Sequence, residues 1–172
     1  NAFNNCPTSG SAELAQQVGA AMLSREWMFA AAESCTGGGI AAALTDIAGS
    51  SQCFERGFVT YSNQAKQDML GVRTETLAKH GAVSEATVRE MVMGALAQSR
   101  AQVAVAVSGI AGPGGATPDK PVGLVYLAWA IVGAEPQVSA QHFDGDRAAV
   151  RAQTVECALQ GVLELLNECD KT

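Results

Sequence analysis

Apolar positions recur along this chain in two rhythms, one helical and one strand-like. Over residues 11–25, Leu14, Val18, Ala21, Met22 and Arg25 share a helical stripe, and Ser11 is the predicted N-cap. Residues 28–33 are small and apolar up to Glu33 and predict a first strand. The glycines at 37–39 open a second helix over 36–47, closed by Gly49. Over residues 54–62, Phe54, Arg56, Phe58 and Thr60 alternate with Glu55, Gly57, Val59 and Tyr61. Hydrophobic side chains fall on both sides, which predicts a central or near-central strand. Ser62-Asn63 caps a short helix carrying Lys66 and Met69-Leu70, stopped by Gly71. Another short helix covers 74–79 and leaves through His80-Gly81. Ser84 starts a long helix whose inner stripe is Val88, Met91, Val92, Ala95 and Leu96. Residues 102–107, apolar throughout after Gln102, predict a strand buried on both faces. Residues 108–121 form a glycine- and proline-rich loop, long for a connector. Strands over 122–132 and 136–143 meet at a hairpin, Gly133-Ala134-Glu135. The last helix, 147–168, turns Val150, Thr154, Cys157, Ala158, Leu159, Val162, Leu165 and Leu166 inward.

Strands alternating with helices and then a hairpin predict an α/β fold with a mixed sheet. The length, 172 residues, fits one domain, read over 11–172. Residues 1–10 are polar and turn-rich and are read as a flexible lead or a vector-derived remnant. The chain is 48% hydrophobic but only 5% aromatic, so its core must be Ala, Val, Leu and Ile, which suits helices packed closely on a sheet. Seventeen acidic against eleven basic residues give a net charge of −6, and no Lys/Arg cluster stands out. That balance argues against nucleic acid or a membrane surface as partner. No apolar run approaches the ~18 residues of a membrane span. The five cysteines, Cys6, Cys35, Cys53, Cys157 and Cys169, are odd in number and form no C-x-x-C. Most sit in apolar patterns, as reduced thiols do in a cytoplasmic protein. His80 and His142 have no Cys or His at ligand spacing, so no metal is expected.

Polar, potentially reactive groups gather at four predicted strand ends. They are Ser34 with Thr36; Tyr61, Ser62 and Asn63 with Lys66; Ser108 with its glycines; and residues 144–151. Ligands of α/β sheets bind at the carboxyl ends of strands, so the four could converge. Ser34 stands where a strand turns sharply into a helix. The site reads either as an exposed nucleophile above unpaired helix N–H groups or as a plain Ser/Thr cap. A serine nucleophile needs a base; no His–Asp pair is suitably placed, but a desolvated lysine can serve. Lys66 is therefore either that base or a solvated helix lysine. Arg147 and Arg151 are four apart on one helix face, and Arg147 opposes the helix dipole in the first turn. They are either an anion site for phosphate or carboxylate or a surface pair balanced by Asp144, Asp146 or Glu156. The Ser108–Gly115 glycines either present N–H groups to an anion or form a surface loop; no Gly-Lys-Ser/Thr makes them a P-loop. Gly37, Gly39 and Ala42 satisfy the dinucleotide fingerprint, yet no acid ends the second strand, and the match is read as accidental.

Several segments together resemble the CinA C-terminal domain family. They are Ala32-Glu33-Ser34-Cys35-Thr36-Gly37-Gly38, Gly57-Phe58-Val59-Thr60-Tyr61-Ser62-Asn63 with Lys66, Gly81-Ala82-Val83-Ser84-Glu85, and Ser108-Gly109-Ile110-Ala111-Gly112-Pro113 with Lys120-Pro121-Val122-Gly123. The chain is similar to the stand-alone bacterial nicotinamide-nucleotide amidohydrolases, and is expected to lack the N-terminal molybdopterin-binding-like domain of longer members. The resemblance implies a three-layer α/β/α sandwich with a mixed, mostly parallel sheet. It also implies hydrolysis of the carboxamide of nicotinamide mononucleotide to nicotinate mononucleotide and ammonia, a step of pyridine-nucleotide salvage. It makes Ser34 and Lys66 the catalytic pair. On that reading N–H groups around Cys35 and Thr36 hold the oxyanion, and Tyr61, Asn63 and Thr36 orient amide and ribose. Arg147 or Arg151, with Ser108, Gly109 and Gly112, holds the 5′-phosphate. No metal or organic cofactor is implied, and a homo-oligomer is expected. The alternatives are a non-catalytic nucleotide-binding module linked to competence or DNA damage and, less favoured, an NAD-dependent oxidoreductase.

Overall fold

A computed structural model of the protein describes residues 10–172, so Cys6 and nearly all of the predicted lead lie outside the described residues. The order is α1 (Ser11–Arg25), β1 (Phe29–Glu33), α2 (Gly39–Thr45), β2 (Phe54–Val59), α3 (Asn63–Leu70), α4 (Thr74–His80), α5 (Glu85–Ala97), β3 (Val103–Gly109), β4 (Leu124–Ile131), β5 (Gln137–His142) and α6 (Arg147–Asp170). The strands form one sheet in the order β2-β1-β3-β4-β5. β1 pairs in parallel with β2 and β3, while β4 runs against β3 and β5 against β4. Four of the five strands thus share one direction, as expected of a mixed, mostly parallel sheet.

Side chains alternate across a strand, so β1 feeds two cores. Phe29 and Ala31 join one core, which contains Leu14, Ile40, Trp129 and Leu159 and is covered by α1, α2 and α6. Ala30 and Ala32 join the other, which contains Leu70, Leu77, Met91 and Val92 and is covered by α3, α4 and α5. The result is the three-layer sandwich. Small residues allow the layers to close: α6 lies so near β4 that a Cβ on Gly161 would stand 2.1 Å from Trp129 Cε2. The Trp129 indole donates to the Ala158 carbonyl at 2.8 Å, tying strand to helix. Among the described residues no helix is long and apolar enough to cross a membrane.

Some expectations fail for identifiable reasons. β2 is an edge strand, not a central or near-central one. Its register slips by one residue between the Phe29–Phe54 and Ala30–Arg56 pairs. That bulge sends Phe54 to the first core and Phe58 to the second, so apolar residues of like parity face opposite ways. Ser108 and Gly109 belong to β3, paired with Tyr126 and Val125, and are not part of the loop. Gly10, not Ser11, is the N-cap of α1, and no side chain caps that helix.

Candidate active site

The site forms where β1 ends. The Ser34 N–H donates to the Val107 carbonyl at 3.1 Å, holding Ser34 to β3 one step beyond the ladder. The Ser34 carbonyl then accepts from the Gly37 N–H at 3.0 Å, which closes the turn. Gly37 and Gly38 have φ of +58° and +102°, and this left-handed pair reverses the chain into α2. Glu33 reinforces the turn from behind. Its buried carboxylate accepts from the Thr36 hydroxyl at 2.5 Å, the Ile40 N–H at 2.9 Å and the Ala41 N–H at 3.1 Å. It does for α2 what Gly38, lacking a side chain, does not do.

Lys66 comes from the first turn of α3. The Ser62 hydroxyl caps that helix by accepting from the Ala65 N–H at 3.0 Å. Lys66 then points inward and is only 1% exposed. Its Nζ lies 3.0 Å from Ser34 Oγ and 2.9 Å from the Thr60 carbonyl oxygen, with the Tyr61 carbonyl at 3.5 Å. Among the described residues no carboxylate forms an ion pair with it. Burial therefore pushes the amine below its ordinary value of 10.5, toward the neutral form a base requires. The neighbouring Cys35 thiol is pushed up to about 11, chiefly by burial, so Cys35 is no thiolate nucleophile.

These groups open into a cavity of about 240 Å³. Ser34, Cys35, Tyr61, Asn63, Lys66, Ser108, Gly109, Gly112 and Arg147 all line it, so most of the residues singled out in the sequence converge. Arg147 spans the mouth, donating to the Gly112 carbonyl and to the Tyr61 hydroxyl, each at 2.8 Å. Beyond it a second cavity of about 620 Å³ is lined by Ala111, Pro113, Val122 and the start of α6, with Arg147 and Arg151.

Two of the expected residues lie outside the smaller cavity. Thr36 does not line the smaller cavity; it is buried, and its hydroxyl donates to Glu33. Arg151 does not line it either. Its guanidinium donates to the Cys35 carbonyl at 3.0 Å and to the Thr36 carbonyl at 3.1 Å, so it grips the turn from outside. Glu33 is the residue missed. The available signal was an acid ending an otherwise apolar strand, just before the glycines that open a helix. No metal-binding cluster occurs among the described residues.

A serine hydroxyl hydrogen-bonded to a buried amine, below a turn rich in N–H groups, is equipped for acyl transfer. The chain also has clear relatives. The profile described as "CinA C-terminal domain" matches residues 11–166. The Escherichia coli K12 protein named nicotinamide-nucleotide amidohydrolase PncC is 56% identical over 148 residues, covering 86% of this chain and 90% of that protein. The Pseudomonas putida protein of the same name is 56% identical over 137 residues, covering 80% and 85%. The competence/damage inducible protein CihA from Agrobacterium tumefaciens superposes with a TM-score of 0.88 at 49% identity, covering 95% of this chain and 99% of that one. The competence damage-inducible protein A (ComA) from Klebsiella pneumoniae gives 0.89 at 43% identity, covering 92% and 98%. The chain belongs to the CinA C-terminal domain family.

Proposed function

We propose that this protein is a nicotinamide-nucleotide amidohydrolase that converts nicotinamide mononucleotide to nicotinate mononucleotide and ammonia through a Ser34 acyl-enzyme. The observation that carries the chemistry is the 3.0 Å contact between Ser34 Oγ and the buried Lys66 Nζ, which has no carboxylate partner among the described residues. The substrate assignment rests on the relatives named for that activity. Neutral Lys66 takes the Ser34 proton as Oγ attacks the carboxamide carbon. The Cys35 and Thr36 N–H groups hold the oxyanion; a single such donor is typically worth ~3 kcal/mol. When the intermediate collapses, the carbon–nitrogen bond breaks and Lys66 returns its proton to the departing ammonia. Lys66 then takes a proton from the water that attacks the acyl carbon; as that intermediate collapses, the bond from the carbon to Ser34 Oγ breaks and Lys66 returns the proton to Oγ, freeing nicotinate mononucleotide.

The smaller cavity suits the carboxamide ring, with Tyr61 and Asn63 at its wall. Arg147 lines both cavities and is therefore the phosphate ligand we favour. Ammonia release from nicotinamide mononucleotide by wild type and Ser34→Ala tests the reading. Wild type should turn over and the variant should not, while keeping its melting temperature; turnover by a folded Ser34→Ala protein removes Ser34 from the mechanism. A second reading follows from solved relatives named for competence or damage induction: a module that binds nucleotide without turnover. It predicts saturable binding and no ammonia from wild type.

A further inference from the structure

Arg151 shares a helix face and the larger cavity with Arg147 and invites assignment as a second phosphate ligand, yet its Nε and one terminal nitrogen are turned to the nucleophile turn. Its Nε donates to the Cys35 carbonyl at 3.0 Å. That carbonyl belongs to the peptide unit whose other end is the Thr36 N–H. Its terminal nitrogen donates to the Thr36 carbonyl at 3.1 Å, the peptide unit that ends in the Gly37 N–H. The Gly37 N–H donates in turn to the Ser34 carbonyl at 3.0 Å, the unit that ends in the Cys35 N–H. Two chains of hydrogen-bonded peptides therefore begin on one guanidinium and finish on the two N–H groups beside Ser34. Neither N–H donates to a backbone carbonyl among the described residues. A cation at the carbonyl end withdraws electron density from each peptide and strengthens its N–H as a donor, an effect that accumulates along hydrogen-bonded chains. The guanidinium also fixes where both N–H groups point, because its planar fork engages adjacent carbonyls.

We infer that Arg151 is a positioning residue for the nucleophile turn, holding and polarising the Cys35 and Thr36 N–H groups that receive the oxyanion, and not a ligand of the substrate's phosphate. This rests on the acyl-enzyme reading but not on the identity of the amide. Arg151→Gln removes the charge while keeping a planar side chain; Arg151→Lys keeps the charge but loses the fork. The assays are kcat and KM for ammonia release from nicotinamide mononucleotide and from its phosphate-free riboside, and the rate at which a fluorophosphonate labels Ser34. The Gln variant should lose kcat on both substrates in parallel, by about tenfold or more, with KM within about twofold. Labelling should slow by a similar factor, and the Lys variant should fall between. A loss confined to the nucleotide and expressed in KM would make Arg151 a phosphate ligand and overturn the inference. Labelling of a folded Gln variant at the wild-type rate would also overturn it. If the Gln variant does not fold, the Lys variant decides: partial loss on both substrates supports the inference, and undiminished kcat and labelling overturn it. If wild type releases no ammonia from either compound, the substrate reading fails and labelling alone decides. Slower labelling of the variants then supports the inference, and equal rates or an unlabelled Ser34 overturn it.

Discussion

Replacing Lys66 with Met tests the centre of the proposed chemistry. Methionine fills much of the volume of the lysine stem without supplying an amine. The substitution removes the contact with Ser34 Oγ at 3.0 Å and the bond to the Thr60 carbonyl at 2.9 Å. Loss of a general base that also serves as general acid should lower kcat by about 10³- to 10⁴-fold, equivalent to about 4–5.5 kcal/mol on the barrier. KM should change little, because the amine acts on the proton in flight. In wild type, kcat should rise with pH as the amine becomes neutral, and burial brings that limb below 10.5.

Stability supplies an independent reading of the same group. Burial lowers the folded-state value of Lys66, so between that value and about 10.5 the unfolded chain binds more protons than the folded one. Wild-type stability therefore climbs with pH through that window, and below it the cost of burying the amine is present in full. The Met variant lacks this slope. It also leaves the buried Thr60 carbonyl without its lysine partner, costing about 1–3 kcal/mol at every pH. Its melting temperature relative to wild type should be most favourable at the acid end and should fall as pH approaches 10.5. Thermal melts across the window, with a coupled ammonia assay at each pH, measure both. A Met variant whose kcat stays within tenfold of wild type, or which keeps the acid limb, would refute the role assigned to Lys66.

Three further outcomes follow from the geometry. Arg147→Ala should raise KM for the nucleotide by about tenfold or more, the worth of a charge-assisted contact, and leave the riboside's KM unchanged; equal effects on both would place the phosphate elsewhere. Glu33→Gln turns an amide donor toward at least one of the N–H groups that the carboxylate accepts, and should lower the melting temperature by about 3–10 °C by calorimetry. With its thiol pushed up to about 11, Cys35 should resist iodoacetamide at about pH 8 in the folded protein and react once denatured, as peptide mass spectrometry would show.

The parts of this structure legible in the sequence are those governed by local periodicity. The β1 run, the stripe of α5 and the long inner face of α6 lie where their spacing puts them, and every residue of β1 is buried. Ser34 and Lys66 were recognisable as candidates because both follow strand ends, where α/β folds collect ligands. What periodicity does not encode is where a strand lies in the sheet. The bulge beside Glu55 makes edge strand β2 imitate a central one, since parity stops reporting the face. Side-chain destinations within the turn were equally hidden. Thr36 and Arg151 look like ligand-binding groups by type, but one hydroxyl turns inward to Glu33 and one guanidinium turns to backbone carbonyls. Those choices depend on partners distant in sequence: Arg151 meets residues more than a hundred positions before it.

Strand order explains why the hydroxyl and the amine meet at all. β1 is flanked by β2 on one side and β3 on the other. The chain leaves β1 through α2 on one face of the sheet and leaves β2 through α3 on the opposite face, as the two separate cores record. Connections that depart toward opposite faces leave a crevice at the carboxyl end of the strands between them. Ser34 enters that crevice from the end of β1, and Lys66 descends into it from the first turn of α3. β3 closes its far side with Ser108, and α6 reaches over the top with Arg147. An amine brought into such a crevice by a helix packed on the sheet is removed from water by the fold itself. Its lowered affinity for a proton follows from topology and not from a neighbouring cation. Charged variants that leave this packing intact should therefore shift the base only weakly, whereas loosening the seat of α3 against α5 should restore its affinity for a proton and shut the reaction down at neutral pH.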